Sequence, residues 1–435
     1  MAHAAIAQSK DGNDEASVVV YKIKAGDTFN KVASKYLQQP LDMAAIQKAN
    51  QIKSIDMLPV GAELLLPRHL IKQSPSKASI MSLSCATPIR LASSPKPLSV
   101  GAVVTEGAII EVPPECHVSL LLEDGSIIRL PSSAALKITT LRKNALEAAP
   151  EVRLDLTRGR VELDVHKGRA KTTPFEIRTP LSIMGVRGTE FRVGYSPEDQ
   201  AGQVEVLGGI VQTRGSTDAQ ARAITKGLGV PIDGAGKSLD IEKLLAPPSF
   251  ESAVATAGAQ PSFVAKLNAV PLANYYVADS ANTANLTGNR NSQNLLAPEL
   301  FIPRVTKQAI FYQLTSVSAS GLVGTERNYA FCAAPNDGKQ ARCSAMFDAP
   351  LADGTPIHFQ LLRSVDGELQ QLVNTQSLQA RNGRFAIQGL PAGHYSWTLS
   401  YAMAHASNTL ASDTDTVIRQ AGSFELIPLL ATNKP

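Results

Sequence analysis

Between His117 and Val193 apolar residues recur at every second position, in runs broken by dipeptides that suit tight turns. That period belongs to strands with one buried face, because the apolar stripe of a helix returns every three or four residues. His117–Glu123 and Ser126–Leu130 flank Asp124-Gly125, a two-residue hairpin signal. Val152, Leu154 and Leu156 alternate before Thr157-Arg158-Gly159, and Val161, Leu163 and Val165 alternate after it, which reads as a second hairpin. Phe175-Glu176-Ile177 and Phe191-Arg192-Val193 keep the period, and Val204-Glu205-Val206 with Gly208-Gly209-Ile210-Val211 reads as a further hairpin. Residues 99–215 are therefore expected to form an all-β domain serving as scaffold. Arg158, Arg160, Arg187 and Arg192 read either as a basic face or as ordinary solvated charges.

The 435 residues exceed one hydrophobic core and ask for two to four domains. A composition of 44% hydrophobic and 18% charged residues, with 30 Gly and 27 Pro, excludes a disordered polyelectrolyte and a coiled coil. Lys+Arg at 42 against Asp+Glu at 38 leaves a net charge of +4, too little for the many phosphate contacts of nucleic-acid binding. No stretch reaches the roughly 18 uncharged apolar residues of a membrane span, so no transmembrane segment is expected.

Ahead of the β region lies a different pattern. Val18–Ile23 is β-branched and reads as a strand, and Ala25-Gly26-Asp27 turns. Phe29, Val32, Ala33 and Tyr36 then form a helical stripe with Asp27 or Thr28 at its N-cap. Asp42 can cap a second helix through Met43, Ile46 and Ala49, with Asn50 closing it, and Pro59-Val60-Gly61 leads into the strand Leu64–Leu66. With Tyr21, Gly26-Asp27-Thr28-Phe29, Asn50-Gln51-Ile52, Leu58–Gly61 and Leu66-Pro67 in place, residues 18–67 resemble a LysM domain, a small βααβ carbohydrate-binding module. The resemblance implies a groove for N-acetylglucosamine-containing glycan, as in peptidoglycan, between the loop Gly26, Asp27, Thr28, Phe29, Asn30 and the loop carrying Asn50, Ile52, Ile55, Leu58 and Pro59. Phe29 also reads as a core residue and Asn50 as a helix cap.

Residues 68–98, rich in Ser, Pro and Lys, read as an extended linker. Leu122–Ser126, Leu156–Val161, Pro174–Pro180 and above all Gly185-Val186-Arg187-Gly188-Thr189-Glu190-Phe191-Arg192-Val193 make residues 99–215 resemble a FecR-type domain. A second linker is expected at 216–240. Short strands around Tyr275, Ala309–Val317 and Tyr329–Cys332, with Ser320–Gly324, make 241–336 resemble fibronectin-type-III-like repeats. Residues 337–435, with the Val365-Asp366-Gly367-Glu368 hairpin and the Leu390-Pro391-Ala392-Gly393-His394-Tyr395 corner, read as a second β-sandwich-like, Ig-like domain. Trp397 reads as a core anchor before a ligand platform. The fold class is thus multidomain and mainly β.

The spacing of Cys85, Cys116, Cys332 and Cys343 matches no zinc or redox motif. Cys332 and Cys343 flank Asn336-Asp337-Gly338, where hairpin arms would bring them to disulfide distance; two buried thiols are the other reading. Residues 1–17 read as a signal-peptide remnant, with Ala2-His3-Ala4 as a cleavage-like site, or as a disordered N-terminus. Gly234–Ser238 lacks the first glycine of a P-loop, Pro231 standing there, and the seven histidines form no metal motif. No catalytic constellation, metal or cofactor is expected. The chain reads as a non-enzymatic, exported protein of the periplasm or envelope of a Gram-negative bacterium, binding peptidoglycan and presenting its β units to envelope proteins. The alternative is a FecR-like signalling or assembly component that LysM localises.

Overall fold

The computed structural model describes residues 18–38, 46–48, 50, 52, 58–85, 87–91, 96–169, 173–256, 262–286, 290–334, 342–349, 356–379, 383–403 and 416–430. The expected signal-peptide remnant lies outside them. Within them the protein is mainly β, and no helix is long and apolar enough to cross a membrane.

The first unit pairs strands Val18–Lys22 and Glu63–Pro67 antiparallel, Val18 opposite Pro67 and Lys22 opposite Glu63. The helix Phe29–Tyr36 lies against them, with Thr28 Oγ1 accepting from Lys31 N at 3.3 Å as its N-cap. Residues 46–48 are helical; Met43 and Ala49 lie outside the described residues. Val19, Tyr21, Phe29, Val32, Leu64 and Leu66 make a thin core, to which the next unit adds Leu146.

The expected linker 68–98 is instead part of the second unit. Gln73–Pro75 pairs with Ala135–Asn144, and Lys77–Ser84 pairs with both Val103–Thr105 and His117–Leu122. Composition misled here: Ala78 and Ile80 alternate into the core at 1% exposure each, and that period outweighs the flanking Ser and Pro. The unit beyond is equally tied to the first. Arg68 forms a bidentate ion pair with Glu147, side chains 5% and 6% exposed, and Lys72 N donates to the Tyr36 carbonyl at 2.7 Å.

The second unit folds two sheet halves over one core that runs from Ala78 to Ile232. The expected hairpin at Gly159 is a single 14-residue strand, Glu151–Asp164. Its first half pairs with Ala135–Asn144 and, in parallel, with Phe175–Thr179; its second half pairs with Ile127–Leu130 and Glu190–Ser196. Gly159, at φ +80°, bends the strand where a Cβ would stand 2.6 Å from the Ser133 carbonyl, so glycine marks a corner between the two halves. Gly209, at φ +81°, likewise carries the chain from strand Ala201–Gly208 to Ile210–Gly215, which sit in different halves and form no hairpin. The Asp124-Gly125 hairpin is as expected, with Leu122 N donating to the Ser126 carbonyl at 2.9 Å. The expected linker 216–240 contributes strands Arg222–Thr225 and Leu228–Ile232 to the two halves.

The remaining chain is built on one eight-stranded sheet. A three-stranded sheet, Phe250–Ala255, Phe263–Leu267 and Glu299–Ile302, covers part of it across a core that includes Phe263, Tyr312 and Phe331. Strands Cys343–Asp348 and Arg384–Leu390 cover another part around Phe347, Phe359 and Trp397. Val323–Ala334 pairs in parallel with Thr416–Leu430, so the sheet runs unbroken through the expected boundary at 336/337. All four cysteines are oxidised, Cys85 with Cys116 and Cys332 with Cys343. The second bond joins strands of two different sheets instead of closing hairpin arms; residues 336–338 lie outside the described set.

Replacing Glu147 by Ala leaves Arg68 in a buried contact without its carboxylate, a change that costs about 3–5 kcal/mol in such settings. Hydrogen exchange at Ile71 and Lys72 is expected to accelerate while the core strand Glu151–Asp164 stays protected.

Candidate functional site

Loop positions in the first unit are set by three short networks. Asp27 Oδ2 accepts from Tyr21 Oη and from Lys24 N, both at 2.7 Å, and Lys31 Nζ donates to the Gly26 carbonyl at 3.0 Å. The Lys24 amide, then the Tyr21 hydroxyl, holds the Asp27 carboxyl below its ordinary range, while burial and Asp27 itself push the Tyr21 hydroxyl upward. On the other side, Asn50 Nδ2 donates to the Ile46 and Leu65 carbonyls at 2.8 Å each, and its Oδ1 accepts from Leu65 N at 2.6 Å. Ile52 N donates to the Gln47 carbonyl at 3.0 Å.

Asp27, Thr28, Asn50, Ile52 and Leu58 are half-buried, and Gly26, Asn30 and Pro59 are exposed. Phe29 is 1% exposed and belongs to the core, so its ring reaches no ligand. Asn50 is spent on the backbone and acts as a clamp. Ile55 lies outside the described residues. Gly61 N donates to the Ile23 carbonyl at 2.8 Å, which places the Leu58–Gly61 turn beside the Gly26 loop at the Lys22/Glu63 end of the sheet. The attachment through Arg68 is at the Pro67 end, so both loops face away from the second unit.

Residues 21–67 match the family model of the LysM domain, and residues 108–212 match that of the FecR protein. The chain carries a LysM domain followed by a FecR domain. No curated protein matches the sequence. Among solved structures, that of a candidate anti-sigma factor from Parabacteroides distasonis ATCC 8503 is 20% identical over 31% of this chain, with a TM-score of 0.26. The match spans 59% of that protein's length. The extracellular domain of a candidate one-component system from B. thetaiotaomicron is 11% identical over 86% of this chain and 64% of its own, with a TM-score of 0.14. These superpositions are too loose to define a shared fold.

The FecR domain also holds a feature that strand periodicity alone hides. On its outward face Ser119, Arg129, Glu162, Arg192 and Glu205 stand opposite one another across five strands, a row of alternating charge. The eight-stranded sheet covers this row. Arg192 donates to the Gly324 carbonyl at 2.9 Å and pairs with Glu326, and Glu205 Oε1 accepts from Val323 N at 3.0 Å. Arg290 reaches down from the covering unit, donating to Asp279 at 2.6 Å and Gln313 at 3.1 Å, with its Nη1 3.0 Å from His117 Nε2. Arg192 is thus an interface group and not part of a solvated basic face, while Arg160, partly buried, pairs with Glu205 of its own domain at 3.5 Å. The signal available in the sequence was the i, i+2 spacing of charges on strands whose other face is apolar.

Burial alone would raise the Glu162 carboxyl, but Arg290, then Arg192 and Arg129, take it down to about 2. Burial, then Arg290, pushes His117 down to about 4, so it stands neutral, Nδ1–H donating to the Cys116 carbonyl at 3.2 Å and Nε2 accepting from Arg290. Beside this contact a cleft of about 850 Å³ opens between the FecR domain and the eight-stranded sheet.

The folded-state value of His117 lies below its unfolded one, so its protonation favours unfolding. Stability falls as pH drops from about 6.5 to about 4, by about 3 kcal/mol from this residue. Denaturant titrations across that range are expected to show the slope shrinking in His117→Gln. In the LysM unit, Asn50→Ala removes three hydrogen bonds, and local stability there is expected to drop by about 2–3 kcal/mol, read by hydrogen exchange at Leu65.

Proposed function

We propose that the chain is a non-enzymatic cell-envelope protein that binds the N-acetylglucosamine-containing glycan of peptidoglycan through its LysM loops and presents its FecR and sandwich units to protein partners. The observation that carries this reading is the LysM match at residues 21–67, on a module whose two loops point away from its attachment. N-acetyl groups offer an amide for backbone groups of the loops and a methyl for the apolar surface of Ile52 and Leu58. Two disulfides and no free cysteine suit an oxidising compartment such as the periplasm of a Gram-negative bacterium, reached by export. The FecR match supports a second reading, a periplasmic signalling or assembly component that LysM localises.

The intact chain is expected to co-sediment with insoluble peptidoglycan, and the double variant Ile52→Asp, Leu58→Asp to remain in the supernatant while still folded by circular dichroism. Undiminished pelleting of the variant overturns the glycan reading. In-cell cross-linking from residues 99–215 that captures a membrane receptor favours the second.

A further inference from the structure

The contact between the FecR domain and the eight-stranded sheet differs at its two edges. At one edge it is covalent. The chain leaves the FecR domain through Glu242–Lys243, which pairs with Leu228–Ile232, and enters the covering unit where the Leu245 carbonyl accepts from Thr325 N at 2.9 Å and the Ala246 carbonyl from Ser316 Oγ at 2.8 Å. Glu205, on the strand beside Leu228–Ile232, stands at this edge. The strand His117–Leu122 lies four strands away, about 19 Å at the usual spacing. There the covering unit reaches across with Arg290, whose Nη1 is 3.0 Å from His117 Nε2, and with Gln420, whose Nε2 is 3.5 Å from Met81 Sδ. A hinge at one edge faces a clasp at the other.

His117 is 8% exposed, and both ring nitrogens are engaged, Nδ1–H with the Cys116 carbonyl and Nε2 with Arg290. That arrangement admits one proton on the ring. A second would aim an N–H at a guanidinium N–H and set two cations side by side away from water. The neighbouring strands bring no carboxylate to it: Ser84 stands opposite His117, and Arg129 stands opposite Ser119. The acids that face the cluster are Glu162 from the FecR side and Asp279 and Glu326 from the covering side, and they already pair with Arg290 and Arg192. Glu162 and Asp279 favour the imidazolium, but burial and then Arg290 oppose it more strongly. The other histidine lining the cleft, His394, is 69% exposed beside Glu425 and meets solvent already.

We propose that His117 and Arg290 form an acid-sensitive clasp: a second proton on His117 lets the covering sheet swing away from the far edge of the FecR face while both units stay folded. In the open form His117 meets water and takes up that proton near its ordinary value of about 6.5, whereas the closed form resists it to about 4. The closed form therefore keeps its full advantage above about 6.5 and loses it as the pH falls toward 4. Glu190 acts in the opposite sense, because burial, then Asp164 and Glu326, hold its carboxyl up in the closed form. The clasp is separate from the LysM loops and does not depend on the glycan reading.

All four cysteines are oxidised, so an introduced cysteine is the single free thiol of the chain. Met81, 4% exposed, is covered by the second unit; Ala78, 1% exposed on the same strand, faces the FecR core; and Val103, on a strand paired with it, is 54% exposed. On going from pH 7.5 to 4.5, the rate at which 4,4′-dithiodipyridine labels Met81→Cys, relative to Val103→Cys, is expected to rise about a hundredfold. The relative rate for Ala78→Cys is expected to stay constant. Leu121→Cys, 5% exposed on the next strand of the same covered face, makes the measurement at a second position. Adding His117→Gln, whose amide oxygen accepts from Arg290 and does not titrate, is expected to hold the rise below about fivefold. Three outcomes overturn the proposal: no rise at Met81→Cys and Leu121→Cys, an equal rise at Ala78→Cys, which is unfolding of the FecR domain itself, or a rise that His117→Gln leaves unchanged.

Discussion

One face of the FecR domain is charged and yet covered, and the arrangement of the chain beyond residue 240 follows from that. Carboxylates and guanidinium groups removed from water are tolerable only when each meets an opposite charge or a hydrogen-bonding partner. The row through Arg129, Glu162, Arg192 and Glu205 sets opposite charges side by side within its own sheet. The covering sheet supplies the rest through Arg290, Glu326 and the backbone at Val323 and Gly324. A displacement of the covering sheet would strand several charges at once, so the contact fixes one relative position of the two units. Area alone would permit sliding; paired charges in register do not.

The same logic acts at the other end on a smaller scale. A LysM domain of about 50 residues has little core, and here it leans on the FecR domain through Leu146 and the Arg68–Glu147 pair. What composition suggested was a tether supplies two strands, each paired into the FecR sheets. The chain is therefore better described as units sharing strands and buried ion pairs than as beads on linkers.

Local patterns in the sequence were reliable wherever the determinant was local. The Asp124-Gly125 and Asp366-Gly367 turns, the Thr28 cap and the alternating strands all depend on a few adjacent residues. Errors arose where a glycine has two possible uses. Gly159 and Gly209 look like hairpin turns, but they are corners, and what decides between the two is a carbonyl or threonine from a distant loop pressed against the missing Cβ. The pairing of Val323–Ala334 with Thr416–Leu430 was likewise invisible, because parallel partners nearly a hundred residues apart leave no turn between them to read. Among the LysM positions, the loops and the inward-facing Phe29 of the helical stripe were legible, while the clamping of Asn50 onto Leu65 is set by packing across the module. The buried charges were seen only as basic residues, since a sequence does not say which polar face will be covered.

The corner at Gly159 gives the FecR domain a mechanical property. A single strand serves as the boundary of both sheet halves, so a load applied to one half passes along covalent backbone into the other without crossing a side-chain interface. With the LysM domain clamped next to the first half and the eight-stranded sheet seated on the second, that strand runs unbroken between the two attachments.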